Sequence, residues 1–307
     1  RDWGSVLATL VKDLKDLASP QSASGKRRAA LAHDYVEQGR VLLERNEPAL
    51  AAPAFWRALR ECPTHARAGS ALAIVAFRTG HTHAAVMFGQ RACRQAPSDP
   101  EAWSNCGAYY KAVGDVAGAL ACFERGLQAR PDYAGLIYNR GLARLLAGDM
   151  AGGFADYERR FDVPDFPSKR LKTTKPLWNG QPLPTQTLLV HAEQGLGDTL
   201  QFLRYIDLLA AQCLRVLLLI QEPLTPLLVL PPNVELVHEG ARTPAYDWVC
   251  PLLSVPHLLG LSQDTPPTLP YLRLEPARSA TWAPRFAAPG LRVGLVWAGN
   301  PAHKNDA

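Results

Sequence analysis

The feature that most constrains the fold is a period of 34 residues across the first half of the chain. Gly39, Ala73, Gly107 and Gly141 recur at that step, as do Ala51, Ala85, Ala119 and Gly153. Pro63, Pro97 and Pro131 keep it, and so do Gly80, Gly114 and Gly148. Phe55, Phe123 and Tyr157 share a further column, in which Gly89 is the exception. A unit of this length cannot bury an apolar face alone, whereas stacked copies can. The columns predict pairs of antiparallel helices. Small residues let the paired helices approach, aromatic residues fill the space between units, and the proline stops the second helix.

Trp103 and Tyr110 complete the third unit, "WSNCGAYYKAVGDVAGALACFERGLQARP". With these residues in place the period resembles the tetratricopeptide repeat. Four units are expected over about 32–167, the last ending in "YERRFDVPDFP". A helix over 3–18 precedes them, with Val6, Leu7, Leu10, Leu14 and Leu17 on one face. A polar linker, "ASPQSASGKRR", separates it from the first unit, so that 1–31 forms a capping helix and linker. Tandem helical pairs curve into a superhelix whose groove takes a protein or peptide. Asn105 and Asn139 occupy one column of the first helices, where an amide both donates and accepts. They form either a two-rung ladder for a peptide backbone or two solvated side chains, since Glu37 and Ala71 fill the column in the earlier units.

From about 168 the period disappears. "SKRLKTTKPLWNGQPLP" carries Lys169, Arg170, Lys172 and Lys175 without an acid, and reads as a linker over 168–186. The run faces either an anionic ligand or solvent. Strands are expected at 187–192, 214–220, 234–238, 246–252 and 292–300. A helix is expected at 198–212, and a short one in "EPLTPLLVL", interrupted by Pro226. Continuous apolar strands alternating with helices imply a parallel sheet covered on both faces. The fold class is therefore a helical solenoid followed by a Rossmann-like parallel-sheet domain over 187–290, with 291–307 as the first strand of a second domain. A parallel strand feeds a helix that packs back on its sheet. None follows "AGNPAHKND", so the natural polypeptide is expected to continue past Ala307 or to be a degenerate enzyme.

The turn "HAEQGLGDTLQF" after the first strand decides the chemistry. A dinucleotide fingerprint needs a third glycine, and Leu200 stands there. Asp198 sits where a pyrophosphate would come closest, and two negative groups repel. Glu222 is a poor match for the acid that binds a ribose. Asp198 reads as a helix N-cap, a position worth about 0.5–2 kcal/mol. That position also lies beyond the carboxyl end of a parallel strand, where open sheets place ligands. There a carboxylate can take a proton from a sugar hydroxyl. His191 and Gln201 could orient it or a substrate, and Gln194, Gly195 and Gly197 complete the turn. His257 carries no expectation, and Trp178 and Trp248 read as packing residues.

"TLLVHAEQGLGDTLQFLRYI", "DWVCPLLSVPHLL" and "LRVGLVWAGNPAHKND", behind repeats ending in "YERRF", resemble bacterial repeat proteins with a glycosyltransferase-like region. That region is similar to the heptosyltransferases, glycosyltransferase family 9, of the two-Rossmann GT-B fold. The layout also resembles the O-GlcNAc transferases. The resemblance implies that Asp198 activates an acceptor hydroxyl and that the first Rossmann domain holds the acceptor. It implies a nucleotide-sugar donor as substrate, with Asn300, His303, Lys304, Asn305 and Asp306 near its phosphates. The family's later donor-binding segments do not occur here, so the chain by itself is not expected to complete the transfer. The alternative is a non-catalytic interaction module built on the repeats.

Composition narrows the remaining classes. A net charge of +5, spread along the chain, argues little for nucleic acid. No run of 18 apolar residues occurs, so no membrane span is expected. Cys62, Cys93, Cys106, Cys122, Cys213 and Cys250 show no C-x-x-C spacing and read as buried thiols of a reducing, cytoplasmic compartment. No D-x-D motif, zinc spacing or Walker loop occurs, so neither a metal nor a bound cofactor is expected.

Overall fold

The computed structural model describes residues 23–262 except 165, 229, 239 and 241, together with 272, 276–287, 289–291 and 293. The helix expected over 3–18 and the strand over 292–300 lie outside the described residues. The chain divides into two compact units, with the main division between Arg170 and Leu171.

The first unit is a solenoid of helical pairs. They are α1 (Ala23–Glu44) with α2 (Pro48–Glu61), and α3 (Ala66–Arg78) with α4 (Thr82–Gln95). Then come α5 (Pro100–Ala112) with α6 (Val116–Ala129), and α7 (Ala134–Leu146) with α8 (Met150–Tyr157). A 3-10 turn, Glu158–Asp162, ends the array. α1 begins within the stretch read as linker, so "ASGKRR" is helical. Arg28 ties that extension to the end of α2, pairing with Glu61 at 3.4 Å and bonding the Arg60 carbonyl.

The columns have direct physical meanings. A methyl group added at Gly39 would lie 2.5 Å from the Phe55 ring, and one at Gly107 would lie 2.2 Å from Phe123. In units one and three the aromatic column thus fills the interior of the pair, and Phe123 also packs with Leu136 and Ile137 of the next unit. Unit two inverts the scheme. Gly89 stands where the ring is expected, and Tyr109 of unit three fills the gap, 3.0 Å from where a Gly89 methyl would sit. Tyr109 packs with Ala73, Ala76 and Ala85 and is 3% exposed.

Turn glycines Gly80, Gly114 and Gly148 have φ of 82°, 82° and 85°, a region that side chains with a Cβ disfavour. In unit one the same column holds Asn46, with φ of 62°. Asparagine tolerates that conformation, and its Oδ1 accepts from Arg78 at 2.6 Å. Nothing lies within 4 Å of a Cβ built on Gly114. Gly114→Ala is therefore expected to lower stability through the backbone alone, by about 1–2 kcal/mol. A fall in the urea midpoint without a change in slope would show it.

Among the described residues the second unit is built on a four-stranded, all-parallel sheet of order β3-β2-β1-β4. The strands are β1 (Leu183–His191), β2 (Cys213–Leu219), β3 (Val234–Val237) and β4 (Trp248–Pro251). Leu188, Leu189 and Val190 are buried on both faces of the sheet, as continuous apolar strands require. The helix expected at 198–212 is broken into α9 (Leu196–Phe202), a 3-10 turn and α10 (Ile206–Ala210). The stretch from 222 to 227 is a 3-10 turn with Pro226 inside it. Part of the expected linker belongs to the sheet. Trp178 donates its N–H to Val249, Val249 donates to Pro176, and the Trp178 side chain is 3% exposed. The segment covers the β4 edge, which open pairing would otherwise leave as a template for another chain. Beyond β4 follow a 3-10 turn (Leu252–Ser254), then α11 (Val255–Leu258), which leads into the stretch Pro256–Pro266 that groups with the first unit, and α12 (Pro276–Trp282).

Candidate functional site

In a sheet of order 3-2-1-4 the connections run outward from β1 in both directions. Open parallel sheets place ligands where the order switches, here outside the carboxyl ends of β1 and β4. Register places those ends together, for His191 is opposite Leu219 of β2 and Pro251 of β4. The turn 192–195 leaves β1, the turn 252–254 leaves β4, and α9 packs against the latter.

Asp198 stands in this region, half-buried on the first turn of α9. It is not the N-cap. Gly195 takes that place, and Asp198 is the third helical residue, with its Oδ2 accepting the Gly195 N–H at 3.1 Å. Glycine has no side chain to return the bond, so this is the acidic half of a capping box. Thr199, fully buried, donates its hydroxyl to the Gly195 carbonyl at 3.2 Å. The carboxylate is thus held by the backbone of its own turn. Gly195 and Gly197 are exposed, and a Cβ on Gly197 would meet nothing within 4 Å, so the backbone there lies open.

His191 is 5% exposed and its Nδ1 donates to the Ala192 carbonyl at 3.2 Å. Gln194 contributes through its carbonyl, which accepts from Gln221 Nε2 at 2.7 Å. Gln201 is exposed one turn along α9, and its own carbonyl accepts from Arg204. Sequence reasoning missed Gln221, which pins the turn to the end of β2. Its signal was its position two residues beyond β2, at the same edge of a parallel sheet. Asn300, His303, Lys304, Asn305 and Asp306 lie outside the described residues.

On the repeats, Asn105 is exposed on α5. Asn139 is half-buried on α7 and donates its amide to Ser104 Oγ at 2.9 Å. One of the two amides therefore already bridges neighbouring units. Among the described residues no group of three or more His, Cys, Asp or Glu side chains is arranged to hold a metal ion. No described helix is long and apolar enough to cross a membrane.

The family model for the tetratricopeptide repeat matches residues 36–100 and 107–165. The first unit is a tetratricopeptide-repeat array. Such arrays present extended surfaces for protein partners. No curated protein matches the chain. Solved structures similar to it include MamA, at 19% identity over 42% of this chain and 75% of that one, with a TM-score of 0.40. Pseudomonas aeruginosa pilF is similar at 21% identity over 43% and 60%, with a TM-score of 0.41. A Thermobaculum terrenum O-GlcNAc transferase mutant is similar at 16% over 64%, with a TM-score of 0.42. The chain spans 38% of that transferase's length.

Proposed function

We propose that the tetratricopeptide array recruits a protein partner or acceptor and that the parallel-sheet unit takes part in sugar transfer from a nucleotide-sugar donor. The observation that carries this reading is the position of Asp198. It is a half-buried carboxylate, held by its own turn, beyond the carboxyl end of β1 where the strand order switches. A base so held needs no reorganisation when an acceptor hydroxyl arrives. Asn105 and Asn139 would grip the extended backbone of the recruited protein segment. The segment containing Asn300, His303, Lys304, Asn305 and Asp306 would supply contacts to the donor phosphates.

The test is Asp198→Asn, introduced into the gene in its natural host. Asparagine keeps an oxygen for the Gly195 N–H, so protein level and melting temperature are expected to be unchanged. Transfer is expected to fall by about 10²–10⁴-fold, the contribution of a general base. Mass spectrometry of host glycoproteins and polysaccharides would then lose one sugar increment. A glycan profile identical to that of the native host, with the variant present at its normal level, would overturn the assignment and leave a non-catalytic repeat scaffold.

A further inference from the structure

Unit three of the array differs from its neighbours at two facing positions, independently of any sugar chemistry. The columns 38, 72, 106, 140 and 54, 88, 122, 156 pair one residue on each helix of a unit. They hold Gln38 with Ala54, Leu72 with Phe88, Cys106 with Cys122, and Arg140 with Asp156. In unit two Leu72 and Phe88 share one apolar cluster. In unit four Arg140 and Asp156 bond directly. In unit three Cys106 and Cys122 pack with Cys93 of the preceding unit, and a thiol replaces the volume of a phenyl ring.

The consequence is a cleft of about 400 Å³ between α4, α5 and α6. Its floor is the three sulfurs and the Trp103 indole. Small residues, Gly118 and Ala121, form one wall. The Cys122 thiol draws the Cys106 pKa down, but the Cys93 thiol and burial push it up to about 12. The Cys106 thiol and burial raise Cys122 as well. The floor is therefore neutral and polarisable. The rim is cationic, for Arg94 and Arg125 are exposed and line the cleft, and no acidic residue does. Among the described residues neither arginine makes an ion pair. The carboxylate that acts on the Cys122 thiol is Asp115, which is engaged as the cap of α6 through the Gly118 N–H at 2.8 Å.

We propose that this cleft binds a small organic anion, its aromatic or aliphatic body on the sulfur and indole floor and its anionic head between Arg94 and Arg125. The volume lies within the range of small-ligand sites, roughly 300–1,000 Å³. Two guanidinium groups at its mouth supply charge-assisted bonds to a carboxylate, sulfonate or phosphate.

The probes are anilinonaphthalene sulfonate and its uncharged parent, N-phenylnaphthylamine, titrated by fluorescence against the full chain. One sulfonate per chain is expected to bind at this site. Cys122→Phe restores the ring that unit two carries and is expected to weaken both dyes at least tenfold. Arg94→Gln with Arg125→Gln is expected to weaken the sulfonate about tenfold and the parent less than twofold. Sulfonate binding within twofold of native in Cys122→Phe overturns the proposal. So does an equal loss of both dyes in the arginine variant, or no binding by the native chain. If Cys122→Phe unfolds the array, Ala121→Leu fills the cleft from an exposed position and takes its place. The arginine variant changes only exposed side chains and keeps the test open.

Discussion

Gly107→Ala is expected to destabilise the tetratricopeptide array by about 2–3 kcal/mol. On an exposed helix the same change would stabilise by about 1 kcal/mol, since glycine is the poorer helix former. Here the sign reverses. The new methyl would lie 2.2 Å from Cε1, 2.6 Å from Cζ and 2.7 Å from Cδ1 of Phe123. The ring is fully buried among Ala119, Leu127 and Leu136, so it cannot swing away without displacing unit four. Overpacking on this scale forces a backbone shift between α5 and α6. The urea midpoint, followed by helical circular dichroism, is expected to fall. A rise would mean that the glycine is dispensable and that the column has no steric basis.

Asp156→Ala is expected to cost about 3–4 kcal/mol. Asp156 is 8% exposed and accepts from Arg140 at 2.7 and 2.8 Å and from Arg144 at 2.9 Å. These bonds hold Arg140 above its ordinary pKa. Removing the carboxylate leaves the half-buried Arg140 and Arg144 guanidinium groups without their shared counter-charge, which costs more than the pair contributes. Writing the unit-two pair into unit four, Arg140→Leu with Asp156→Phe, is expected to recover most of the loss. Replacing both partners removes the stranded charge and substitutes apolar contacts. Thermal melts of the two variants check this. An Asp156→Ala protein as stable as native would show that solvent serves Arg140 equally well.

Much of this architecture is legible in the sequence because it rests on repetition. The step of 34 residues locates the pairs, their close approaches and their turns, and the apolar runs locate the four described strands to within a few residues. What is not legible depends on a neighbour. Gly89 looked like a gap, because the ring that fills it belongs to the next unit. Asp198 looked like an N-cap, because sequence does not reveal that α9 starts at Leu196. "KPLW" looked like linker, because its pairing with β4 joins residues about seventy positions apart. Arg160 gave no sign of being fully buried. It lies against the rings of Tyr157 and Phe161, at 4.9 and 4.4 Å, and bonds Glu158. At the carboxyl end of β1 the turn and its acid could be read in advance. Gln221 was missed although its place beyond β2 marked it, because its link to Gln194 passes between two strands that only the sheet brings together.

The ring that Tyr109 lends to unit two also bears on how the array comes apart. A solenoid behaves as a one-dimensional chain of elements, each with its own stability and a coupling to the next. Where every element fills its own interior, the ends can fray singly. Unit two cannot: its interior is completed by a side chain carried on α5. Loss of unit three empties unit two, so the coupling between them outweighs what unit two contributes alone. The two open and close as one foldon, and any force or protease that reaches α5 acts on both.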